Sequence, residues 1–159
     1  MSALMPLDEA TLAQLVTDAQ AWAEQDPDAA TVAALNDLVA RASTGDAEAQ
    51  VGLADAFAGP LTFGTAGLRA ALGPGPARMN RVVVSQAAAG FARWLAEHGH
   101  QGGRVLIGYD ARYNSDVFAR DTAEIMQAAG FEAMLTDQPT PTPVVAFGIG
   151  HFDCVAAVV

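Results

Sequence analysis

The sequence contains no lysine, and its eight basic residues are all arginine. A phosphate loop built on a lysine, a Schiff base and a lysine general base are therefore excluded. The single cysteine, Cys154, cannot form an internal disulfide, so nothing indicates secretion. The opening residues lack the cationic-then-apolar pattern of a signal peptide, and no apolar run approaches the roughly 18 residues of a membrane helix. We therefore expect a cytoplasmic globular protein with no membrane partner.

Basic charge is scarcest in the first part of the chain. The formal net charge is −10 over 159 residues, and nearly all of it falls in residues 1–60, where Arg41 is the only basic residue. Such an acidic region repels phosphate backbones, which argues against a nucleic-acid partner. The rest of the chain is almost neutral, so it can still hold a local anion site.

The acidic region has the periodicity of helices. Apolar residues recur every three or four positions in residues 8–24, 29–42 and 46–58. Between the first two, the Asp26-Pro27-Asp28 run could be interpreted as metal ligands or as a helix cap. The cap is favoured, because the further ligands and the glycine of a calcium loop are missing. Residues 1–60 are therefore predicted to form an acidic helical extension.

From residue 61 the pattern changes to alternating strands and helices. The predicted strands cover residues 104–109, 131–135 and 154–159, and the first and the last are expected to be buried. The predicted helices cover residues 81–98, 115–129 and 143–150. This alternation predicts an α/β domain over residues 61–159, a three-layer α/β/α doubly wound fold with a mainly parallel sheet. Because the last strand feeds no loop, we expect the sequence to be part of a longer chain.

The segment at 63–69, FGTAGLR, combines two glycines with an arginine. Glycine lets the backbone approach a ligand closely, Arg69 offers a planar fork of donors that suits a phosphate, and Thr65 offers a hydroxyl. The same letters also fit a strand with a bulge and a surface arginine. Spacing alone leaves both interpretations open.

The segment at 108–115, GYDARYNS, follows a predicted strand, where ligands bind in doubly wound sheets. Asp110 and Arg112 could pair with each other or with neighbouring loops, and Asn114 or Ser115 could cap the next helix. Structural pairing and capping are at least as good an interpretation as ligand contact.

Five segments follow one another along the chain: FGTAGLR at 63–69, RMN at 78–80, GYDARYNS at 108–115, PTPTP at 139–143 and the final CVAAVV. Together they resemble the first domain of the α-D-phosphohexomutase family. The resemblance implies a phosphoglucomutase or phosphomannomutase. In such an enzyme a phosphoserine passes its phosphoryl group to a sugar phosphate, through a sugar bisphosphate, with Mg²⁺ held by aspartates of a second domain. It further implies that Arg69 binds phosphate, that Thr65 and Gly67 support it, and that Asp110 and Arg112 are scaffold for the serine loop.

The sequence departs from the family pattern in three respects. None of its four serines precedes the His-Asn pair of the TASHNP-like serine loop, and the magnesium aspartates are missing. We therefore expect no catalytic residue, no bound metal and no mutase activity in this chain alone. The scattered histidines, His98, His100 and His151, suit surface or helix-end roles, and Ala70 stands where the family usually has glycine.

Two rival hypotheses remain. The domain could be a stand-alone α/β binding or interaction module derived from that family. A nucleotide-binding enzyme on the same scaffold is weaker, because neither a G-x-G-x-x-G motif nor a phosphate loop is present.

Overall fold

The computed structural model describes residues 7–159, which divide into two compact units, the first ending at Val83 and the second covering Val84–Val159. The helices are α1 (Glu9–Gln25), α2 (Ala29–Ser43), α3 (Ala47–Ala56), α4 (Arg81–Glu97), α5 (Ser115–Ala128) and α6 (Thr142–His151). The strands are β1 (Arg104–Ile107), β2 (Glu132–Leu135) and β3 (Ala156–Val158). No helix of the described residues is both long and apolar enough to cross a membrane.

The three helices of the first unit each begin at an aspartate. The Asp8, Asp28 and Asp46 carboxylates accept backbone N–H groups of the following turn, at 2.9, 2.9 and 3.0 Å. Such caps satisfy N–H groups that have no partner within the helix. The predicted cap at Asp28 is confirmed. The helices enclose a core that includes Leu35 and Leu53.

The second unit is built around a three-stranded sheet in the order β2-β1-β3, parallel throughout. Residues 105–108, which include most of the central strand β1, are buried. The strand has a hydrogen-bonded neighbour on each side, and its Val105 and Ile107 side chains pack in a core with residues of α4 and α5. Helix α6 lies close to this strand at two glycines. A Cβ at Gly108 would come within 2.5 Å of the Val145 side chain, and one at Gly148 within 2.4 Å of Leu106.

The last predicted strand differs from the structure. It was expected to be buried over 154–159, but β3 covers Ala156–Val158 and is only half-buried. Cys154 lies two residues before the strand and is half-buried as well. Among the described strands β3 pairs with β1 alone, and an edge strand buries less than a central one. A run of apolar residues in the sequence does not show whether a strand will be central or at the edge of its sheet.

Candidate functional site

The segment at 63–69 forms a tight, exposed turn in the first unit. The backbones of Gly64 and Gly67 hydrogen-bond each other in both directions, at 3.2 and 3.1 Å, so Thr65 and Ala66 stand at the corner. Gly67 has φ +90°, a left-handed conformation that disfavours a side chain. The strand interpretation of this segment is wrong, because its only β-pairing is this isolated bridge.

Arg69 follows the turn by two residues, and its side chain is exposed. Within the described residues of its own unit, no carboxylate or carbonyl binds the guanidinium, whereas Arg41 and Arg78 of the same unit are paired with Asp46 and Asp55. The five N–H donors of Arg69 therefore have no partner among those described residues. An anion could occupy them without breaking an existing ion pair in this unit.

Thr65 and Gly67 of this turn differ in whether their polar groups are available to a ligand. The Thr65 residue is exposed, so its hydroxyl is accessible to a ligand. The Gly67 N–H is already donated to the Gly64 carbonyl, so this glycine shapes the turn and its amide is not free to bind an anion.

The predicted pairing of Asp110 with Arg112 is present in the second unit. The Arg112 guanidinium lies 3.3 Å from one Asp110 oxygen, and the Arg112 backbone N–H donates to the other at 2.9 Å. The Arg112 backbone bond, with a further hydrogen bond at Ser115, holds the pKa of Asp110 below its usual range. The pair therefore joins two residues of the loop after β1 through one backbone and one side-chain contact.

The predicted side-chain cap of α5 is not formed. Asn114 stands at the cap position, but it has φ 64° and makes no side-chain cap hydrogen bond. The Ser115 hydroxyl instead accepts the Asp110 N–H at 3.2 Å. In the left-handed conformation the Asn114 side chain is not aimed at the first turn of the helix. Asparagine tolerates this conformation better than most residues do, which explains its presence there.

A second loop reaches the same edge of the sheet. The Thr140 N–H donates to the Tyr109 carbonyl at 2.8 Å, and the Thr136 N–H donates to the Ile107 carbonyl at 2.9 Å. The PTPTP loop is therefore held against the carboxyl end of β1, where doubly wound domains bind ligands.

The described residues do not fit a magnesium site, because they contain no group of three or more His, Cys, Asp or Glu side chains able to hold a metal ion. Two histidines make ring contacts near helix ends. His98 stacks on Trp94 with ring centroids 4.1 Å apart, and His151 stacks on Phe147 at 5.7 Å. Burial raises the pKa of the Cys154 thiol, which does not favour a nucleophile.

Sequence reasoning missed Asn80. It stands immediately before α4, is 3% exposed, and its side chain bonds four backbone groups. An asparagine between a Gly-Pro-Gly-Pro turn and a periodic apolar run is a helix-start signal that could have identified it.

A small parallel sheet with helices, and with loops gathered beyond the carboxyl ends of its strands, defines an α/β/α domain. The chain belongs to the phosphoglucomutase/phosphomannomutase family, whose alpha/beta/alpha domain I matches residues 60–159. The predicted fold class and the family resemblance are both confirmed.

Individual relatives agree with the family. The chain is 55% identical over 80 residues to a probable phosphomannomutase of Haemophilus influenzae, covering 50% of this chain and 16% of that protein. It is 35% identical over 102 residues to a phosphoglucomutase of Staphylococcus saprophyticus, covering 64% and 18%. It is 33% identical over 155 residues to a human phosphopentomutase, covering 92% and 24%. The chain thus spans less than a quarter of each relative's length. No solved structure matched it.

Proposed function

We propose that this chain supplies a phosphate-binding part of a sugar-phosphate mutase. The activity would be transfer of a phosphoryl group between C1 and C6 of a hexose phosphate, through a phosphoserine and a sugar bisphosphate. The observation that carries the proposal is the exposed Arg69 guanidinium, which has no ion-pair partner among the described residues of its unit and lies two residues after a glycine-shaped turn. The names of the relatives, which are mutases of phosphorylated sugars, support the substrate class.

In this proposal Arg69 holds a phosphate through charge-assisted hydrogen bonds from its planar fork. Thr65 adds a hydroxyl, Gly67 keeps the turn closed, and Asp110 with Arg112 stiffens the loop that would support the serine loop. Phosphoryl transfer depends mainly on positioning and charge neutralisation, and an arginine supplies both without a proton transfer. Residues 1–60 would be the helical extension and residues 61–159 the first domain of a cytoplasmic enzyme.

The complete mutase would use Mg²⁺, which would neutralise charge on the transferred phosphoryl group. The described residues of this chain do not form a site for the ion, so each role proposed for them is one of binding or support.

Phosphate binding can be tested on the 159-residue chain. We expect inorganic phosphate and glucose 1-phosphate to shift the backbone amide signals of residues 65–70 in NMR spectra, with a Kd in the millimolar range, which corresponds to a binding free energy of about −4 kcal/mol. Hydrogen bonds to charged groups contribute about 1.5–3 kcal/mol, so Arg69→Ala should weaken binding about tenfold or more. Arg69→Lys should restore binding only in part, because an ammonium lacks the fork.

Arg120 gives the matched control. It is also exposed and has no ion pair or hydrogen bond of its side chain within the described residues of its own unit, but it lies on α5 and not after a glycine turn. Arg120→Ala should leave the phosphate Kd unchanged. Equal losses in the two alanine variants would mean that phosphate responds to net charge alone, and the proposed role of Arg69 would be wrong.

The chain alone should show no mutase turnover, because none of its serines lies in a serine loop of the family pattern. A coupled assay that converts glucose 1-phosphate to glucose 6-phosphate measures this directly. Turnover that persists through repurification and scales with the amount of the chain would contradict the prediction.

A further inference from the structure

The Asn80 side chain is the centre of the turn that precedes α4. Its Nδ2 carries two hydrogens and donates them to the carbonyls of Gly73 and Gly75, at 2.9 and 2.8 Å. The Arg78 carbonyl, at 3.3 Å, shares one of these two donors. Its Oδ1 accepts the Val83 N–H at 2.9 Å, which caps the helix. One buried amide therefore binds three carbonyls of the turn and one N–H of the helix. Buried carbonyls that lose their donor are costly, so the turn depends on this side chain.

Both ends of the Arg69 segment are bound to this turn. On the entering side, the Leu61 N–H donates to the Pro76 carbonyl at 3.2 Å. On the leaving side, the Met79 N–H donates to the Ala71 carbonyl at 2.9 Å, and the Gly73 N–H donates to the Met79 carbonyl at 3.2 Å. Residues 62–70 thus form a loop whose two ends are held by the residues that Asn80 organises.

The turn is itself seated on the end of α3. The Ala77 N–H donates to the Ala56 carbonyl at 3.1 Å, and Arg78 forms an ion pair with Asp55. Gly75 lies so close that a Cβ there would come within 2.5 Å of the Ala56 oxygen. The end of α3 therefore holds the turn in place, and the turn in turn holds both ends of the loop.

We propose that Asn80 is the positioning residue of the Arg69 loop. By holding the 73–80 turn closed, Asn80 fixes the two ends of residues 62–70. The loop that carries Arg69 therefore has fewer conformations available before a phosphate binds. The part of this proposal that concerns phosphate rests on the proposed function; the part that concerns the loop does not. A binding group that is held in place beforehand loses less conformational entropy on binding.

The test compares Asn80→Asp with Asp28→Ala in the 159-residue chain. Asn80→Asp keeps an oxygen for the Val83 N–H but removes the Nδ2 donors, so it opens the turn without deleting the cap. Asp28→Ala removes a cap in the same unit, one that accepts N–H groups of Ala30 and Thr31 but does not contact the turn. Amide hydrogen exchange at Leu61, Gly73 and Met79 reports on the loop ends, and the backbone amide signals of residues 65–70 report inorganic phosphate binding.

We expect hydrogen exchange at the three loop-end amides to accelerate at least tenfold more in Asn80→Asp than in Asp28→Ala. We also expect the phosphate Kd to rise at least threefold in Asn80→Asp and to stay unchanged in Asp28→Ala. Exchange that changes equally in both variants would overturn the positioning role, whatever phosphate does. Faster exchange with an unchanged phosphate Kd would overturn the link to Arg69. Faster exchange in a protein whose unsubstituted form binds no phosphate would support the positioning of the loop and contradict the proposed function.

If Asn80→Asp does not fold, native-state exchange of the unsubstituted chain gives the answer. The proposal requires the amide N–H groups of Leu61, Met79 and Val83 to exchange through openings of equal free energy, because the Asn80 side chain holds both loop ends and the start of α4. Opening of Leu61 and Met79 well below the free energy of Val83 would overturn it.

Discussion

Two loops of this protein contain an exposed arginine, and the two arginines differ in what they bind. In the loop after β1, the Arg112 guanidinium lies 3.3 Å from Asp110. In the segment at 63–69, the Arg69 guanidinium has no such partner among the residues of its unit that the structure describes. Both arginines are therefore exposed, and they differ in that only Arg112 has a neighbouring carboxylate, that of Asp110, as an ion-pair partner among the described residues of its unit. An arginine whose charge is already paired stabilises a loop, whereas an unpaired one is available to an anion.

The loops also obtain their shapes differently. The loop after β1 is held by its own side chains, through the Asp110 carboxylate and the Ser115 hydroxyl. The Arg69 loop is shaped by the glycine turn and is supported from outside, through backbone bonds to the 73–80 turn. A substitution in the turn should therefore disturb the Arg69 loop and leave the loop after β1 intact.

The largest effect should come from Gly75→Ala, which removes that outside support. Its Cβ would meet the Ala56 carbonyl oxygen at 2.5 Å, and its φ of +95° is strained for any side chain. We expect a loss of about 2–4 kcal/mol in the free energy of unfolding, from overpacking and backbone strain together. Urea unfolding followed by the fluorescence of the buried Trp22 measures the first unit.

Gly45→Ala is the matched control for this prediction. Gly45 has φ +91°, but nothing lies within 4 Å of a Cβ there, so only the backbone strain of about 1–2 kcal/mol should be lost. If the two variants lose the same amount, the turn is not seated on α3 as tightly as the 2.5 Å contact requires.

A smaller effect should separate the two arginines by stability. Arg112→Ala removes an exposed ion pair, so the free energy of unfolding should fall by no more than about 1 kcal/mol. Arg69→Ala should leave the free energy of unfolding within about 0.5 kcal/mol of the original, since it breaks no ion pair among the described residues of its unit. Urea unfolding followed by circular dichroism checks both. A greater loss in Arg69→Ala would show that Arg69 is a structural residue.

The smallest effect concerns pH. The pKa of Asp110 is lowered from its ordinary 3.8, chiefly by the Arg112 N–H, so the folded state favours the charged carboxylate. This contribution is fully present above the ordinary pKa and is lost as the pH falls through the folded pKa, below about 4. Asp110→Asn should therefore be less stable than the original at pH 6, and the difference should shrink toward pH 3. A difference that grows on acidification would contradict the lowered pKa.

Much of this fold could be predicted from local signals. The Asp28 cap and the period of the helices depend on residues close together in sequence, and all six predicted helices match the structure to within two residues at each end. The limits of β3 were predicted less well, because the burial of a strand depends on which neighbours it gains.

The candidate site was harder to predict than the fold. FGTAGLR points to a glycine turn with an arginine, but not to the turn at 73–80 that supports it. The role of Asn80 depends on three carbonyls brought together by folding, and no spacing rule encodes them. The conformation of Asn114 was missed for a similar reason, since the choice between a cap and a left-handed residue is made by the whole loop.

The order β2-β1-β3 has a consequence for the kinetics of folding. The register pairs Arg104 with Glu132 on one side of β1 and Val105 with Ala156 on the other, and the second partner is nearly twice as far along the chain. A doubling of loop length adds about 0.6 kcal/mol to the entropic cost of closure. The β1–α5–β2 unit should therefore assemble first and offer β1 as a template, and β3 should join late. Until it does, the central strand has one open edge, so this is the interval in which the protein is most prone to pair with another chain.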